Sequence, residues 1–208
     1  MKNLSHPALA AGGEAGWSER LLSAQRRKLF EAFTQFRQGG ADDTVLEVRH
    51  ADAAWMRNWT ESPPKSLVAA CAIDPALPAL RLPYPDNAFD WVFCPEVIEH
   101  AGAPERQQRL VAECYRVARK GVFLTTPNRR HPLEFNTGLP FAHWLPDTLY
   151  RRCLERFPRR QGPLALLDSA RLYRLAEALP GAPAHDVGHK RVFGIKAHFF
   201  LMVSKPGR

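Results

Sequence analysis

The chain has 208 residues, 45% of them apolar and 24% charged, which suits one folded domain with some decoration and excludes a disordered or collagen-like chain. No apolar run reaches the ~18–20 residues of a membrane-spanning helix. The 29 basic and 21 acidic residues leave a formal charge of +8, a balance that favours an anionic partner and says nothing of fold.

Residues 1–16 are Ala/Gly-rich and read as a loose segment without the continuous apolar core of a secretory signal. The remainder, 17–208, reads as a single domain. Ser18 can cap a helix running to about Gln38, with Leu22, Leu29, Phe30, Phe33 and Phe36 on one stripe, and Gly39-Gly40 would end it. Thr44–Val48 is a short β-type run. A short helix over 51–59 would stop at Ser62-Pro63-Pro64. Leu67–Ile73 reads as a buried strand ending at Asp74. Prolines 75, 78, 83 and 85 then forbid regular structure up to Asn87. Phe89–Cys94 is a third strand. Pro104 opens a helix to about Arg119 whose residues Leu110, Val111, Cys114, Val117 and Ala118 share a face. Gly121 is expected to stop it, before a fourth strand at Val122–Thr125. A proline- and histidine-containing stretch runs to Pro146. Helices follow at about Asp147–Phe157 and Ser169–Leu179. After a Gly-Ala-Pro turn near Gly181 come strand-like runs at His189–Phe193 and His198–Ser204. Alternating strands and helices argue for a mostly parallel sheet covered on both faces, with an antiparallel pair at the end.

The four cysteines contain no C-x-x-C pair. That argues against a zinc ribbon or a thioredoxin-type site and suits a reducing, cytoplasmic setting. Much of the basic excess lies in Arg129-Arg130, Arg151-Arg152 and Arg159-Arg160. A solvated face explains such runs, and so does a surface for phosphate, lipid headgroup or nucleic acid. No zinc-finger, RNP or helix-turn-helix pattern supports nucleic acid.

The segment LPYPDNAFDWVFCPEVIEHAGAPERQQRLVAECYRVARKGVFLTTPNR resembles class I S-adenosylmethionine-dependent methyltransferases. It is most similar to the small bacterial type 11 group, with features of ubiquinone-pathway O-methyltransferases. Three features carry the likeness: LPYPDNAFD leading into a strand at Asp90, CPEVIEH at that strand's end, and VFLTTPNR ending a further strand in a Thr-Pro-Asn turn. It covers residues 42–130 and extends loosely to the terminal GIKAHFFLMVSK. The resemblance implies a three-layer Rossmann-like methyltransferase fold of seven strands, the last antiparallel. It implies methyl transfer from S-adenosylmethionine to a small-molecule acceptor, most simply at oxygen. Cofactors of such sheets lie at the carboxyl ends of the strands, where strand order reverses.

The sequence departs from the family in its first half. No glycine stands between Gly40 and Gly102, so the glycine-rich loop after the first strand is degenerate, and Arg49 and His50 stand where the family keeps space. Only 41 residues separate Val48 from Asp90. That is too short for the usual helix, strand, helix, strand series, so the family's third strand or the helix before it is missing or vestigial.

By resemblance, Asp74 takes the cofactor ribose hydroxyls, and Glu47, Cys94 and Pro95 line the cofactor side; Arg49 joins them where the family keeps a glycine loop. Arg49 would hold the cofactor carboxylate by a charge-assisted pair. Asp74 reads equally as a turn cap, and Cys94 as a small buried apolar residue. Glu96, Glu99 and His100 look like the metal-ligand string of two magnesium-dependent methyltransferase groups. In a helical turn Glu96 and His100 would share a face, with His131 or His143 completing a Mg site. A helix cap explains the same string. His100 is the candidate general base, or a structural hydrogen-bond partner. Residues 129–180 would form a substrate-side lid or insertion, with Asn128, Arg129, Glu134, His143 and Trp144 facing the acceptor. The paired arginines suit an acidic or phosphorylated one. The competing reading is a non-catalytic methyltransferase-like module that binds a protein partner, with Arg49 or His50 filling the cleft. A basic nucleic-acid or membrane-surface binder is the third.

Overall fold

The computed structural model describes residues 28–37, 42–50, 67–128 apart from 75, 76 and 78, and 164–206 apart from 193, with a few isolated positions between 130 and 152. In chain order the elements are helix α1 (28–37), β1 (Val45–His50), β2 (Leu67–Ile73), β3 (Phe89–Pro95) and a 3₁₀ turn (Ile98–Ala101). Then come α2 (Pro104–Val117), β4 (Ala118–Pro127), α3 (Ser169–Glu177), β5 (Ala184–Val192) and β6 (Ile195–Ser204). Six strands form one sheet in the order β2-β1-β3-β4-β6-β5. β1 to β4 are parallel, and β6 is antiparallel to both β4 and β5.

The alternation of side chains across the strands builds two cores. On one face, Leu46, Val48, Val92, Cys94, Val122 and Leu124 meet Leu110, Val111 and Cys114 of α2 and Leu172 and Leu175 of α3. On the other, Val45, Trp91, Phe93, Phe123 and Phe200 meet Leu29 and Phe33 of α1. The described part of the predicted stripe, Leu29 to Phe36, therefore reaches the sheet, with Phe33 stacked on Phe93 at 5.0 Å between ring centres; Ser18 and Leu22 lie outside the described residues. This three-layer α/β arrangement is the predicted class. No helix among the described residues is long and apolar enough to cross a membrane. Cys71, Cys94 and Cys114 are free and buried.

Several expectations change in detail. The sheet has six described strands, not seven. No strand stands among the described residues between β2 and β3, where the chain length had no room for one. β1 runs on through Arg49 and His50, because those residues keep pairing with Ala72 and Ile73. α2 ends at Val117 and β4 begins at Ala118 without a glycine cap. Gly121 lies inside β4, opposite both Trp91 and Ser204. β5 starts at Ala184 rather than His189, directly after the Gly181-Ala182 turn, where both residues have positive φ. The short helix expected at 51–59, the segment 1–16 and most of 147–157 lie outside the described residues.

Two polar clamps seat the strands. Arg116 on α2 donates to the carbonyls of Leu82 and Tyr84 and pairs with Asp86 and Glu113. The proline-rich approach to β3 is thereby fixed to the helix. At the amino end of the sheet, Asp90 accepts from the Thr44 amide at 3.0 Å and hydroxyl at 2.9 Å, and from the Arg119 guanidinium. Burial alone would raise the Asp90 carboxyl. These donors and Lys120 reverse that and hold it down to about 2. A lowered native value stabilises the fold above the unfolded value near 4 and stops doing so as pH falls towards 2. Asp90→Asn is therefore expected to lower stability at pH 7 by about 2 kcal/mol and by much less at pH 2.5. Urea titrations at the two pH values check it, and equal losses would refute the carboxylate's role.

Candidate active site at the carboxyl ends of the parallel strands

From β1 the chain passes to β2 on one side of the sheet. It resumes with β3 on the other. Strand order thus reverses between β1 and β3, which is where open α/β sheets place their ligands. Four carboxyl-terminal edges meet there, at His50, Asp74, Glu96 and Asn128.

His50 at the end of β1 and His100 in the 3₁₀ turn after β3 meet across this gap, their ring centres 4.7 Å apart. Both are partly exposed. The expected helical turn over 96–100 does not form. Glu96 takes a left-handed backbone, with φ of 50°, so it precedes the 3₁₀ turn rather than starting a helix, and Glu96 and His100 are not stacked on one helical face. Non-glycine residues adopt that conformation only when surroundings enforce it. Here the Glu96 amide donates to the Thr125 carbonyl at 2.9 Å, and His198 Nε2 lies 3.0 Å from Glu96 Oε1.

Glu99 points elsewhere. It is buried, and its Oε2 accepts from the Thr126 hydroxyl at 3.0 Å. Burial, reinforced by the nearby Glu96, pushes its carboxyl up to about 8. It is therefore largely neutral at pH 7, an unfavourable state for a cation ligand. Among the described residues no three His, Cys, Asp or Glu side chains are arranged to hold an ion. The Mg expectation for Glu96, Glu99 and His100 thus finds no assembled donor set. His131 and His143 lie outside the described residues.

Glu47 of β1 faces the α1 side with Val45. Burial pushes its carboxyl up to about 7, with Arg49 pulling the other way. Asp74 is exposed at the end of β2, and its carbonyl accepts from the Leu77 amide at 3.2 Å. Cys94 is fully buried on the α2 face. Its proximity to the Cys114 thiol and its burial push its own thiol up. Its side chain is a core element, and only its backbone reaches the strand end. Pro95 closes β3 opposite Thr125. Asn128 is a staple: its Nδ2 donates to the Lys196 carbonyl at 2.7 Å and its Oδ1 accepts from the Arg130 amide at 2.9 Å. Arg129, Glu134, His143 and Trp144 lie outside the described residues.

His198 was not singled out in the sequence. It lies in β6 seventy residues beyond the Thr-Pro-Asn turn, and only the antiparallel register that sets it opposite Pro127 brings it to the site. Thr125 Oγ1, buried on β4, has no hydrogen-bond partner.

The arrangement offers an exposed carboxylate after β2, a cation at Arg49 and an imidazole pair at the switch point.

The methyltransferase-domain family profile matches residues 75–126, the stretch from the end of β2 to Thr126. No curated protein matches the chain by sequence. Among solved structures, the chain is similar to magnesium protoporphyrin IX methyltransferase from Synechocystis PCC 6803 with bound S-adenosylhomocysteine. The TM-score is 0.55 at 11% identity, covering 94% of this chain and 90% of that one. An S-adenosylmethionine-dependent methyltransferase from Mesorhizobium loti gives 0.54 at 8%, over 88% and 98%. The N-methyltransferase NodS from Bradyrhizobium japonicum in complex with S-adenosylhomocysteine gives 0.51 at 12%, over 94% of each. At these identities the likeness is one of fold.

Proposed function

We propose that this chain, which has the fold of the class I S-adenosylmethionine-dependent methyltransferases, transfers a methyl group from S-adenosylmethionine to a small-molecule acceptor, at oxygen. The observation that carries the reading is the coincidence of two independent signals. The family-matched stretch 75–126 builds β3, the 3₁₀ turn, α2 and β4, and those elements form one wall of the switch-point edge.

S-adenosylmethionine, when bound, supplies a methyl group already activated by its sulfonium, so the protein's work is positioning and proton removal. Asp74 would accept hydrogen bonds from the ribose hydroxyls. Arg49 would hold the carboxylate, and the end of β3 at Cys94 and Pro95 would lie beside the sulfonium. Glu47, neutral or charged near pH 7, would sit beneath. His100 would hold the acceptor's proton, with Arg129, Glu134, His143 and Trp144 on the acceptor side. Asn128 would act through Arg130 and Lys196 rather than on the acceptor itself.

A specific observation favours a second reading. With no glycine in the turn after β1, His50 and His100 meet across the switch point. If they keep the gap closed, the domain is a binding module that has lost its cofactor. Calorimetric titration with S-adenosylmethionine and S-adenosylhomocysteine decides. A Kd near 1 µM, about −8 kcal/mol, is expected, weakened roughly tenfold by Asp74→Ala, which removes hydrogen bonds worth about 1–2 kcal/mol. No heat and no thermal shift at millimolar ligand would leave the module reading standing.

A further inference from the structure

β5 and β6 form a hairpin joined through residues 193 and 194, with Gly194 at φ 78°. Two-residue connections of this kind hold the flanking strands in fixed register. Because His198 pairs with Pro127 of β4, the hairpin's closed end lies at the same edge of the sheet as Glu96 and Asn128. The run from His189 to Lys196 contains no acid. Its register sets Arg191 directly opposite Lys196, and Lys190 opposite His198.

Like charges facing each other across an antiparallel pair oppose folding. Among the described residues neither Arg191 nor Lys196 has a carboxylate within ion-pair range. A third cation is brought to the same place by a specific device. Asn128 Nδ2 donates to the Lys196 carbonyl while its Oδ1 accepts from the Arg130 amide, which fixes the backbone of the exposed Arg130 beside the hairpin. Burial, and then Lys196 and Arg191, lower the neighbouring His189 imidazole. A like-charge pair that the strand register holds face to face opposes the fold alone, and an anion bridging it relieves that opposition.

We propose that Arg191, Lys196 and Arg130 form a phosphate-binding site at the closed end of the β5–β6 hairpin, and that the methyl acceptor is anchored there by a phosphate group. Only the second half of this statement rests on the methyl-transfer reading. Guanidinium forks take phosphate oxygens in pairs, and the ligand's other end would then extend over the strand ends towards His100.

The test uses inorganic pyrophosphate as probe, titrated into the full chain at 50 mM and 300 mM salt. Binding in the submillimolar range at low salt is expected, weakening steeply at high salt as exposed charges are screened. The Arg191→Gln/Lys196→Gln double variant should lose at least tenfold in affinity and leave S-adenosylhomocysteine binding unchanged. Arg191→Glu should abolish pyrophosphate binding while raising the melting temperature, because it turns a like-charge pair into an opposite-charge one. Cosedimentation with phosphatidylglycerol vesicles, against phosphatidylcholine vesicles, separates a lipid-borne phosphate from a soluble one. Pyrophosphate binding without S-adenosylhomocysteine binding would keep the anion site and remove the acceptor assignment. No pyrophosphate binding, or binding undiminished in the double variant, overturns the site.

Discussion

Gly121→Ala should be the most damaging single-methyl change in the sheet, lowering stability by about 3–4 kcal/mol and the melting temperature by roughly 8–14 °C. The reason is space, not backbone freedom. β4 is paired on both edges, and at Gly121 its neighbours are Trp91 and Ser204. An added Cβ would overlap the Val203 carbonyl oxygen and come within 2.7 Å of Trp91 Cζ3. Neither neighbour can yield cheaply. The carbonyl belongs to β6. The indole is pinned by its Nε1–H bond to Asp43 at 2.9 Å and by the edge of Phe36, 5.5 Å away between ring centres. Interiors this dense respond to one methyl group by backbone shifts. Thermal and urea unfolding of the variant measure the loss. Adding Trp91→Leu to Gly121→Ala should return part of it by removing the ring clash, and only part, because the carbonyl overlap remains. A melting temperature within 2 °C of the parent protein would show that the two strands are not packed as described.

Gly121 also shows what a sequence can hide. A glycine past an amphipathic run reads as a helix stop, and here the helix ends earlier, where Ala118 begins pairing with Phe89. The glycine is needed by an indole and a strand thirty and eighty residues away. The elements with strong local patterns were legible: the aromatic stripe of α1 and the face of α2 with Pro104 at its start. The short span from Val48 to Asp90, set against the resembled family, left no room for the full helix-strand series, and no strand stands there among the described residues beyond β2. The site was less legible. Asp74, Glu96 and His100 stand out in the sequence because they fall in or beside recognisable strings. The likeness that named their roles did not tell how Glu96 and Glu99 would point. Glu96 is turned by its left-handed backbone towards His198, and Glu99 by burial towards Thr126. Both partners come from strands whose neighbours are set by topology, so no local spacing announces them. The like-charge pair Arg191 and Lys196 was equally invisible, since opposition across a hairpin depends on a bulge between Lys190 and Arg191.

Glu99 supplies the sharpest discrimination between a structural acid and a cation ligand. Its carboxyl, raised to about 8 against an ordinary value near 4.5, makes the native chain hold a proton that the unfolded chain releases. Where the native state binds the extra proton, stability falls with rising pH, by about 1.4 kcal/mol per unit. For Glu99 the fall begins near pH 4.5 and ends near pH 8. Glu47, raised to about 7, adds a parallel fall that ends sooner. Glu99→Gln keeps an oxygen to accept from the Thr126 hydroxyl and removes the titration. The variant should match the parent within about 1 kcal/mol at pH 4.5. It should be the more stable of the two at pH 9, by an amount on the order of 3–4 kcal/mol. Urea titrations at pH 4.5, 7 and 9 trace the divergence. The same experiment has an outcome that reverses the reading of the site. If Glu99→Gln is the less stable protein at pH 9, the buried carboxylate is charged and compensated there. A cation bound beside Glu96 and Glu99 would then be the first thing to seek, by repeating the pH 9 titration with added magnesium.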